Sequence, residues 1–448
     1  FLSPMDKHFA DIQRIFLEEQ TKLYGTDHIY GIDPFNEVDA PFWDPNTLAE
    51  ISRGIYDSLT AVDPDAIWLQ MGWLFYADPT HWTDENIKAY LTAVPKGRMM
   101  LLDYYCDYTQ IWKRTESFYG QDFIWCYLGT GIEGDFHQND EWIQETMENA
   151  GQGFRGLGCT LEGFGVNEPV YEAVLARAWD TGRTLDEYID NIADRHLGRV
   201  DEKYRSFWHI IADKISVSHP VTGSASVVNA HPNLEGNWHW TTVIARGYDE
   251  EDLENAWELL SEVDGSSSYL AYDKANVHRQ VLCNRTAAYR DRFTAAYKKG
   301  DRNGMLAAKK AFLELCDEIT AVLSTRKEFS LEDWISDARS WGDTPEQKAY
   351  YEKNARTLIS VWGDSFHLWD YANRDWDGLV DTYYKVRWER FFDAVIAAFD
   401  AGESFVNAKS TGYVGSTASG SSADVNGRAL QYDEQIWKFA CEWAHIEE

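Results

Sequence analysis

Basic residues are in short supply. There are 41 Lys and Arg against 74 Asp and Glu, a formal net charge of −33. That deficit excludes sequence-independent binding to nucleic acid, where phosphates need a basic surface. It also excludes docking on anionic lipid. Long apolar runs are missing too, and none approaches the roughly 20 residues of a membrane helix. The six cysteines (Cys106, Cys126, Cys159, Cys283, Cys316, Cys441) are too scattered for a disulfide framework, and no pair has zinc-finger spacing. There is no P-loop, no H-E-x-x-H and no G-x-S-x-G. The 12 His show no ligand spacing, so no metal and no cofactor is expected. His28 and His239 read as structural or surface residues. No internal repeat of fixed period occurs. One N-glycosylation triplet, at Asn284, is of the kind that arises by chance.

What is present is globular: 448 residues, 44% hydrophobic and 26% charged, with ample chain to bury a core. Aromatics are abundant, with 20 Trp, 25 Tyr and 21 Phe. Many of these rings are expected in the core. A Trp-rich acidic surface also suits sugars, whose C–H faces stack on rings while carboxylates accept from hydroxyls. The opening Phe1-Leu2-Ser3-Pro4 is neither a start Met nor a signal peptide. The chain begins in mid-pattern, as if the front of a larger protein were absent.

Through residue 182, short apolar runs alternate with helical stretches. The runs are Asp27–Ile32, Ala66–Phe75, Met99–Tyr105, Phe123–Leu128 and Phe154–Thr160. Helices are predicted near Asn46–Val62, Asp84–Val94, Asn139–Ala150 and Asn167–Ala178. This alternation means parallel β with crossover helices. A doubly wound sheet and part of an eight-stranded barrel both fit it. From residue 183 to 448 the pattern is helical. Thr184-Leu185-Asp186-Glu187 reads as a capping box. Phe312, Cys316, Ile319 and Leu323 make one helix face. Similar patterns cover Glu251–Val263, Tyr269–Lys299, Pro345–Val361 and Gly378–Ala401, and the Gly/Ser-rich Thr411–Gly427 reads as a loop.

Ligand sites of α/β folds lie at the C-terminal ends of the strands. Asp33-Pro34-Phe35-Asn36-Glu37 follows the first run, and Thr160-Leu161-Glu162-Gly163 ends the fifth. Glu37 and Glu162 are 125 positions apart, and a closed barrel can bring such ends together. Two carboxylates flanking a glycosidic bond are the machinery of glycoside hydrolysis, with retention or inversion set by their separation. Among 74 acidic residues, a Glu at a strand end is more often a helix cap or ion-pair partner. The G-x-G-x-x-G match at Gly129–Gly134 is rejected as a dinucleotide site. Glu133 and Asp135 would repel a pyrophosphate, and no clean helix N-terminus follows at once.

Several motifs together resemble the alpha-N-acetylglucosaminidases of glycoside hydrolase family 89. They are Tyr24–Gly31 with Phe35-Asn36-Glu37, Ala61-Val62-Asp63 leading to Ala66–Gln70 and Gly72–Phe75, and Phe123–Cys126. Thr160–Gly163, Asn167 and Tyr171 follow, then Trp362-Gly363, Asp370–Asn373 and Val386-Arg387-Trp388. The resemblance implies the C-terminal portion of a (β/α)8 TIM-type barrel over 1–182, then an all-α domain over 183–448 that closes on the site. The family's small first domain and about three barrel strands are then expected upstream. It implies Glu37 as acid/base and Glu162 as nucleophile of a retaining exo-glycosidase that removes terminal α-linked N-acetylglucosamine. Asn36, Trp73, Tyr104, Trp362, Leu368 and Tyr371 are the implied sugar contacts. The loop Gly129–Asp135 departs from the family pattern and gains two acids. The expected partner is a glycan of mucin or heparan type. Repulsion between an acidic protein and sulfated chains favours neutral ends. The alternatives are an inactive fragment or a non-catalytic carbohydrate-binding protein; a helical interaction scaffold is a third class. The acidic balance and single sequon lean towards an exported bacterial protein, periplasmic or extracellular, rather than a lysosomal one.

Overall fold

In a computed structural model of the protein, the five apolar runs form one parallel sheet of β1 (Ile29–Gly31), β2 (Ile67–Met71), β3 (Met99–Asp103), β4 (Asp122–Tyr127) and β5 (Phe154–Cys159). The structure describes residues 2–36, 38, 40, 42–129, 134–160, 168–217, 226–236, 240–242, 244, 246–363, 368–405 and 427–446. The strands lie in the order β1-β2-β3-β4-β5, with pairings such as Ile29↔Ile67, Trp68↔Met99, Leu101↔Phe123 and Trp125↔Leu157. A doubly wound sheet reverses its order at a switch point. This sheet never reverses, so it is wound as a barrel is.

The helices of this part are α1 (Phe9–Tyr24), α2 (Pro45–Thr60), α3 (Trp73–Ala77), α4 (Asp84–Thr92), α5 (Ile111–Arg114), α6 (Phe136–Asn149) and α7 (Glu168–Ala176). Their starts follow local chemistry. Asp44 accepts from the Thr47 amide with Pro45 in the first turn, and Thr83 accepts from the Asn86 amide. Each such cap is worth about 0.5–2 kcal/mol. Successive strand residues point to opposite faces. Trp68, Gln70, Met99, Leu101, Phe123 and Trp125 are buried on one face, where Tyr90 of α4 meets Trp68 edge-on at 5.8 Å. Ile67, Leu69, Met100, Leu102 and Ile124 on the other face are half-buried.

The run Ala66–Phe75 is strand only to Met71, and then becomes α3. Gly72 is the reason. Its N–H donates to the Leu102 carbonyl at 2.8 Å, and a Cβ there would lie 2.6 Å from that oxygen. The contact ends β2 against the end of β3 and launches Trp73.

The chain divides into two units, with the main boundary between Leu185 and Asp186. The second is helical: α8 (Leu185–Leu197), α9 (Glu202–Ile210), α10 (Glu250–Ser261), α11 (Ser268–Lys299), α12 (Arg302–Leu323), α13 (Leu331–Ser340), α14 (Pro345–Leu358), α15 (Lys385–Asp400) and α16 (Gly427–Trp443). The face Phe312, Cys316, Ile319, Leu323 is fully buried. Phe312 packs on Trp388 and Phe392 at 4.8 and 5.3 Å. Each such side chain contributes about 1.5–3 kcal/mol by leaving water. The predicted helix Gly378–Ala401 begins instead with a π-helical turn, Val380–Tyr384. The Gly/Ser stretch Thr411–Gly427 lies outside the described residues except for Gly427, which opens α16. Asn284 sits buried on α11, accepting from Arg246 and Gln280 and donating to Tyr248. No glycosyl group fits there in the folded chain. All six cysteines are free thiols.

Gly72→Ala should lower the thermal midpoint of the sheet unit, with a loss of about 1–3 kcal/mol from overpacking. Circular dichroism melts of the two proteins check this, and an unchanged midpoint would refute the close-approach argument.

Candidate active site

The candidate residues fall in loops after the strands and in one loop of the helical unit. Glu37 and Glu162, the two implied reacting carboxylates, lie outside the described residues. So do Asn167, His239 and residues 130–133 of the departing loop. What the structure does describe is how the flanking chain is held.

After β1 the chain turns at Phe35, whose φ of +64° is left-handed. For a non-glycine residue that costs about 1–2 kcal/mol. The Phe35 ring meets Trp43 at 6.4 Å, and Trp43 stacks on His81 at 4.5 Å. Next comes Asn36, whose Oδ1 is buried with no hydrogen-bond partner among the described residues. Leaving such an oxygen unmet costs about 1–3 kcal/mol. A hydrogen-bond donor, N–H or O–H, is the chemistry that would satisfy it.

Asp33 stands at the base of this loop. Gln70 Nε2 donates to its Oδ1 at 2.6 Å, and Tyr90 donates in turn to Gln70 Oε1 at 3.0 Å. Burial pushes the Asp33 carboxyl up to about 6, against the Gln70 bond. Asp103, at the end of β3, is fully buried and accepts from the Ile111 and Trp112 amides at 3.1 and 3.0 Å. Burial lifts it to about 6 as well. Asp107 accepts from the Leu128 and Gly129 amides at 2.9 and 3.0 Å, which fixes the end of β4. Tyr171 donates to the Leu128 carbonyl at 2.9 Å. Gly129 is left-handed, and a Cβ on it would strike the Tyr171 hydroxyl at 2.7 Å. Thr160 donates to the Tyr104 carbonyl at 2.7 Å, tying the end of β5 to the end of β3.

Trp73 and Tyr104 are brought together, edge to face, with centroids 5.9 Å apart. Tyr76 and Tyr105 also touch Trp73, at 5.1 and 6.0 Å. His28 belongs elsewhere: it precedes β1, and its Nδ1 pairs with Asp63 at 2.8 Å, where Tyr30 also donates. That is the N-terminal end of the strands, away from the ligand edge.

In the helical unit, Trp362 and Tyr371 meet edge to face at 5.2 Å. Trp362 and Asp370 are both left-handed, at +62° and +58°. The Trp362 amide donates to Thr357 and the Asp370 amide to Ser360, each at 2.7 Å. The Tyr371 amide donates to the Leu368 carbonyl at 3.0 Å, which places all three candidate contacts on one loop. Beneath it, Arg387 pairs with Asp370, and both side chains are out of solvent. Tyr383 donates to Asp370 at 3.2 Å, and Arg387 also donates to the Asn229 and Ala230 carbonyls at 3.0 and 3.2 Å. Burial works against the Arg387 charge, but Asp370 and the rings of Tyr383 and Tyr384 outweigh it and hold the group above its usual range. Asn229 donates to Asn373, and Asn373 to the Asp370 carbonyl, at 2.8 and 2.9 Å.

Residues 1–181 match the model of the alpha-N-acetylglucosaminidase TIM-barrel domain, and residues 188–417 match that of its C-terminal domain. The chain belongs to the alpha-N-acetylglucosaminidase family, glycoside hydrolase family 89. It is 31% identical over 421 residues to human alpha-N-acetylglucosaminidase, covering 90% of this chain and 56% of that protein. Among solved structures it is similar to a family 89 glycoside hydrolase from Clostridium perfringens, in complex with its substrate GlcNAc-alpha-1,4-galactose. The TM-score is 0.80 at 26% identity, over 91% of this chain and 47% of that one. The same enzyme in complex with 2-acetamido-1,2-dideoxynojirmycin matches at TM-score 0.79 and 25% identity, over 97% and 48%. The chain thus spans about half the length of the relatives it matches. Its architecture is that of part of a TIM barrel followed by the family's helical domain.

Family membership recasts two of the motifs. Asp370–Asn373 and Arg387-Trp388 are joined by the buried pair, so most of that pattern is scaffold for Trp362, Leu368 and Tyr371. Sequence reading did not assign roles to Asp33, Asp103, Asp107, Tyr76, Tyr105 or Tyr108. The available signal was their position at or within a few residues of the C-terminal end of a strand.

Two outcomes follow from this geometry. Arg387→Leu should cost the helical unit about 3–5 kcal/mol in urea unfolding, because it strands a buried carboxylate. Adding Asp370→Leu should recover part of the loss. Asp33→Asn keeps an acceptor for Gln70 and removes the titration. Neutral Asp33 contributes its full stability below the usual value of 3.8, and that contribution is lost as pH rises through about 6. The variant should therefore match the parent at pH about 3.8 and exceed it in urea midpoint at pH about 7.

Proposed function

We propose that the protein is an exo-acting retaining glycosidase that removes terminal, non-reducing α-linked N-acetylglucosamine from glycans. The observation that carries this reading is the match of the family's barrel domain and then its C-terminal domain along nearly the whole chain. In sequence Glu37 comes shortly after β1 and Glu162 shortly after β5, and α/β folds bind ligands beyond the C-terminal ends of their strands. Further support comes from the Clostridium enzyme, whose complex with its substrate carries two Glu→Gln substitutions.

In this reading Glu162 attacks the anomeric carbon while Glu37 gives its proton to the departing glycosidic oxygen. Glu37 then takes a proton from water, whose oxygen attacks the same carbon and frees Glu162. The first step requires Glu37 to stay protonated near neutrality. Aromatic walls that exclude water favour the neutral acid. Asn36, Trp73, Tyr104, Trp362, Leu368 and Tyr371 are the proposed sugar contacts. With a net charge of −33, neutral mucin-type ends fit better than sulfated ones, and an exported bacterial enzyme is the context we infer. The departing loop Gly129–Asp135 favours a second reading, a sugar-binding protein without turnover.

The test is release of the aryl group from an aryl α-N-acetylglucosaminide. Parent chain should act, and Glu162→Ala should lose about 10³-fold or more in kcat. Proton NMR should show the α-anomer as first product. Equal rates for parent and variant would overturn the assignment, and N-acetylglucosamine binding without turnover would favour the second reading.

A further inference from the structure

The rings around Trp73 form a larger array than the pocket wall requires. Tyr76 meets Tyr105 and Tyr108 at 5.8 and 6.0 Å, and Tyr105 stacks on Tyr108 at 5.1 Å with planes 26° apart. With Trp73 and Tyr104, five rings are in continuous contact, from α3, which follows β2, and from the loop after β3. None of the five is buried, whereas Phe75, Trp82 and Tyr90 beside them are at most 1% exposed. Trp73, Tyr76, Tyr104 and Tyr105 are half-buried, and Tyr108 at the far end is 44% exposed. The turn that carries Tyr105 and Tyr108 is braced: the Tyr108 amide donates to Tyr105 at 3.0 Å, and Asp107 between them holds the Leu128 and Gly129 amides. The rings are therefore set in place before a ligand arrives, which lowers the ordering cost of binding.

We propose that Tyr76, Tyr105 and Tyr108 form a stacking platform for the pyranose ring of the second sugar, the one from which the terminal residue is cut. This rests on the glycosidase reading above. An exo-acting pocket has one opening, and the departing sugar occupies it. A wall of rings that starts at the proposed sugar contact Trp73 and ends in solvent at Tyr108 gives that departing sugar a surface to lie on. The platform also selects charge. Neither residues 72–84 nor residues 103–110 contain a Lys or Arg, and they carry Asp78, Asp84, Asp103 and Asp107. Arg114 reaches this segment but is engaged by Asp84 and by the Phe75 and Trp82 carbonyls. The second sugar is accordingly a neutral hexose rather than a uronate or a sulfated residue.

The test is equilibrium binding by intrinsic fluorescence in a Glu162→Gln background, which suppresses turnover. The probes are N-acetylglucosamine, GlcNAc-α-1,4-galactose and GlcNAc-α-1,4-glucuronate. The parent should bind the galactose disaccharide about 5- to 10-fold tighter than N-acetylglucosamine, the scale of one stacking contact. It should show no such gain for the glucuronate. Tyr108→Ala, a change at an exposed ring, should erase the gain and leave the N-acetylglucosamine affinity unchanged, and Tyr108→Trp should keep it. A gain that persists in Tyr108→Ala, an N-acetylglucosamine affinity that falls in step, or an equal gain for glucuronate would overturn the platform. If the parent binds N-acetylglucosamine but gains nothing from the disaccharide, the platform fails and the glycosidase reading stands. If it binds none of the three, that reading fails and takes the platform with it.

Discussion

Buried carboxylates anchor the loops that carry the candidate site residues. A carboxylate taken out of water must find donors or give up its charge. Asp103 and Asp107 find backbone amides of neighbouring loops, Asp33 finds Gln70, and Asp370 finds Arg387. Each bond fixes a loop at a point where regular hydrogen bonding has stopped. The arrangement costs stability, because burial raises the Asp33 and Asp103 carboxyls towards the neutral form. It also ties down points in the chain beside Asn36, Tyr104 and Tyr371. The helical unit uses the strongest version: a guanidinium with a carboxylate, two carbonyls and two tyrosine rings around it.

Backbone strain collects at the same places. Phe35, Trp362 and Asp370 are left-handed residues with side chains, each beside or among the candidate contacts. Such conformations persist only where surrounding structure over-determines them. Here the over-determination is visible as the Phe35–Trp43–His81 ring contacts and as the hydrogen bonds from Trp362 and Asp370 back to Thr357 and Ser360.

The composition also acquires a division of labour. Part of the acidic excess is structural: Asp44, Asp135, Asp201, Asp249 and Asp301 cap helices. Aromatics split likewise. Trp68, Trp82, Trp125, Trp369 and Trp388 fill cores with little or no exposure, while Trp73, Tyr104 and their neighbours remain half-buried at strand ends. Counting rings could not separate the two groups, since burial depends on which face of the sheet or which end of a strand a ring occupies.

Much of the architecture was legible because it is written in local periodicity. Five apolar runs became five strands, and the spacing of Phe312, Cys316, Ile319 and Leu323 became a buried helix face. Motif order along the chain sufficed to point to the family. Tertiary structure alone decided the rest. The sheet's unreversed order chose a barrel over a doubly wound fold, which strand count cannot do. Gly72's approach to Leu102 cut one apolar run into strand and helix. The meeting of Asp370 with Arg387, and of Tyr76 with Tyr105 and Tyr108, joins residues whose separation in sequence carries no periodic signal. Such contacts arise from how elements pack, and only the folded chain brings them within reach.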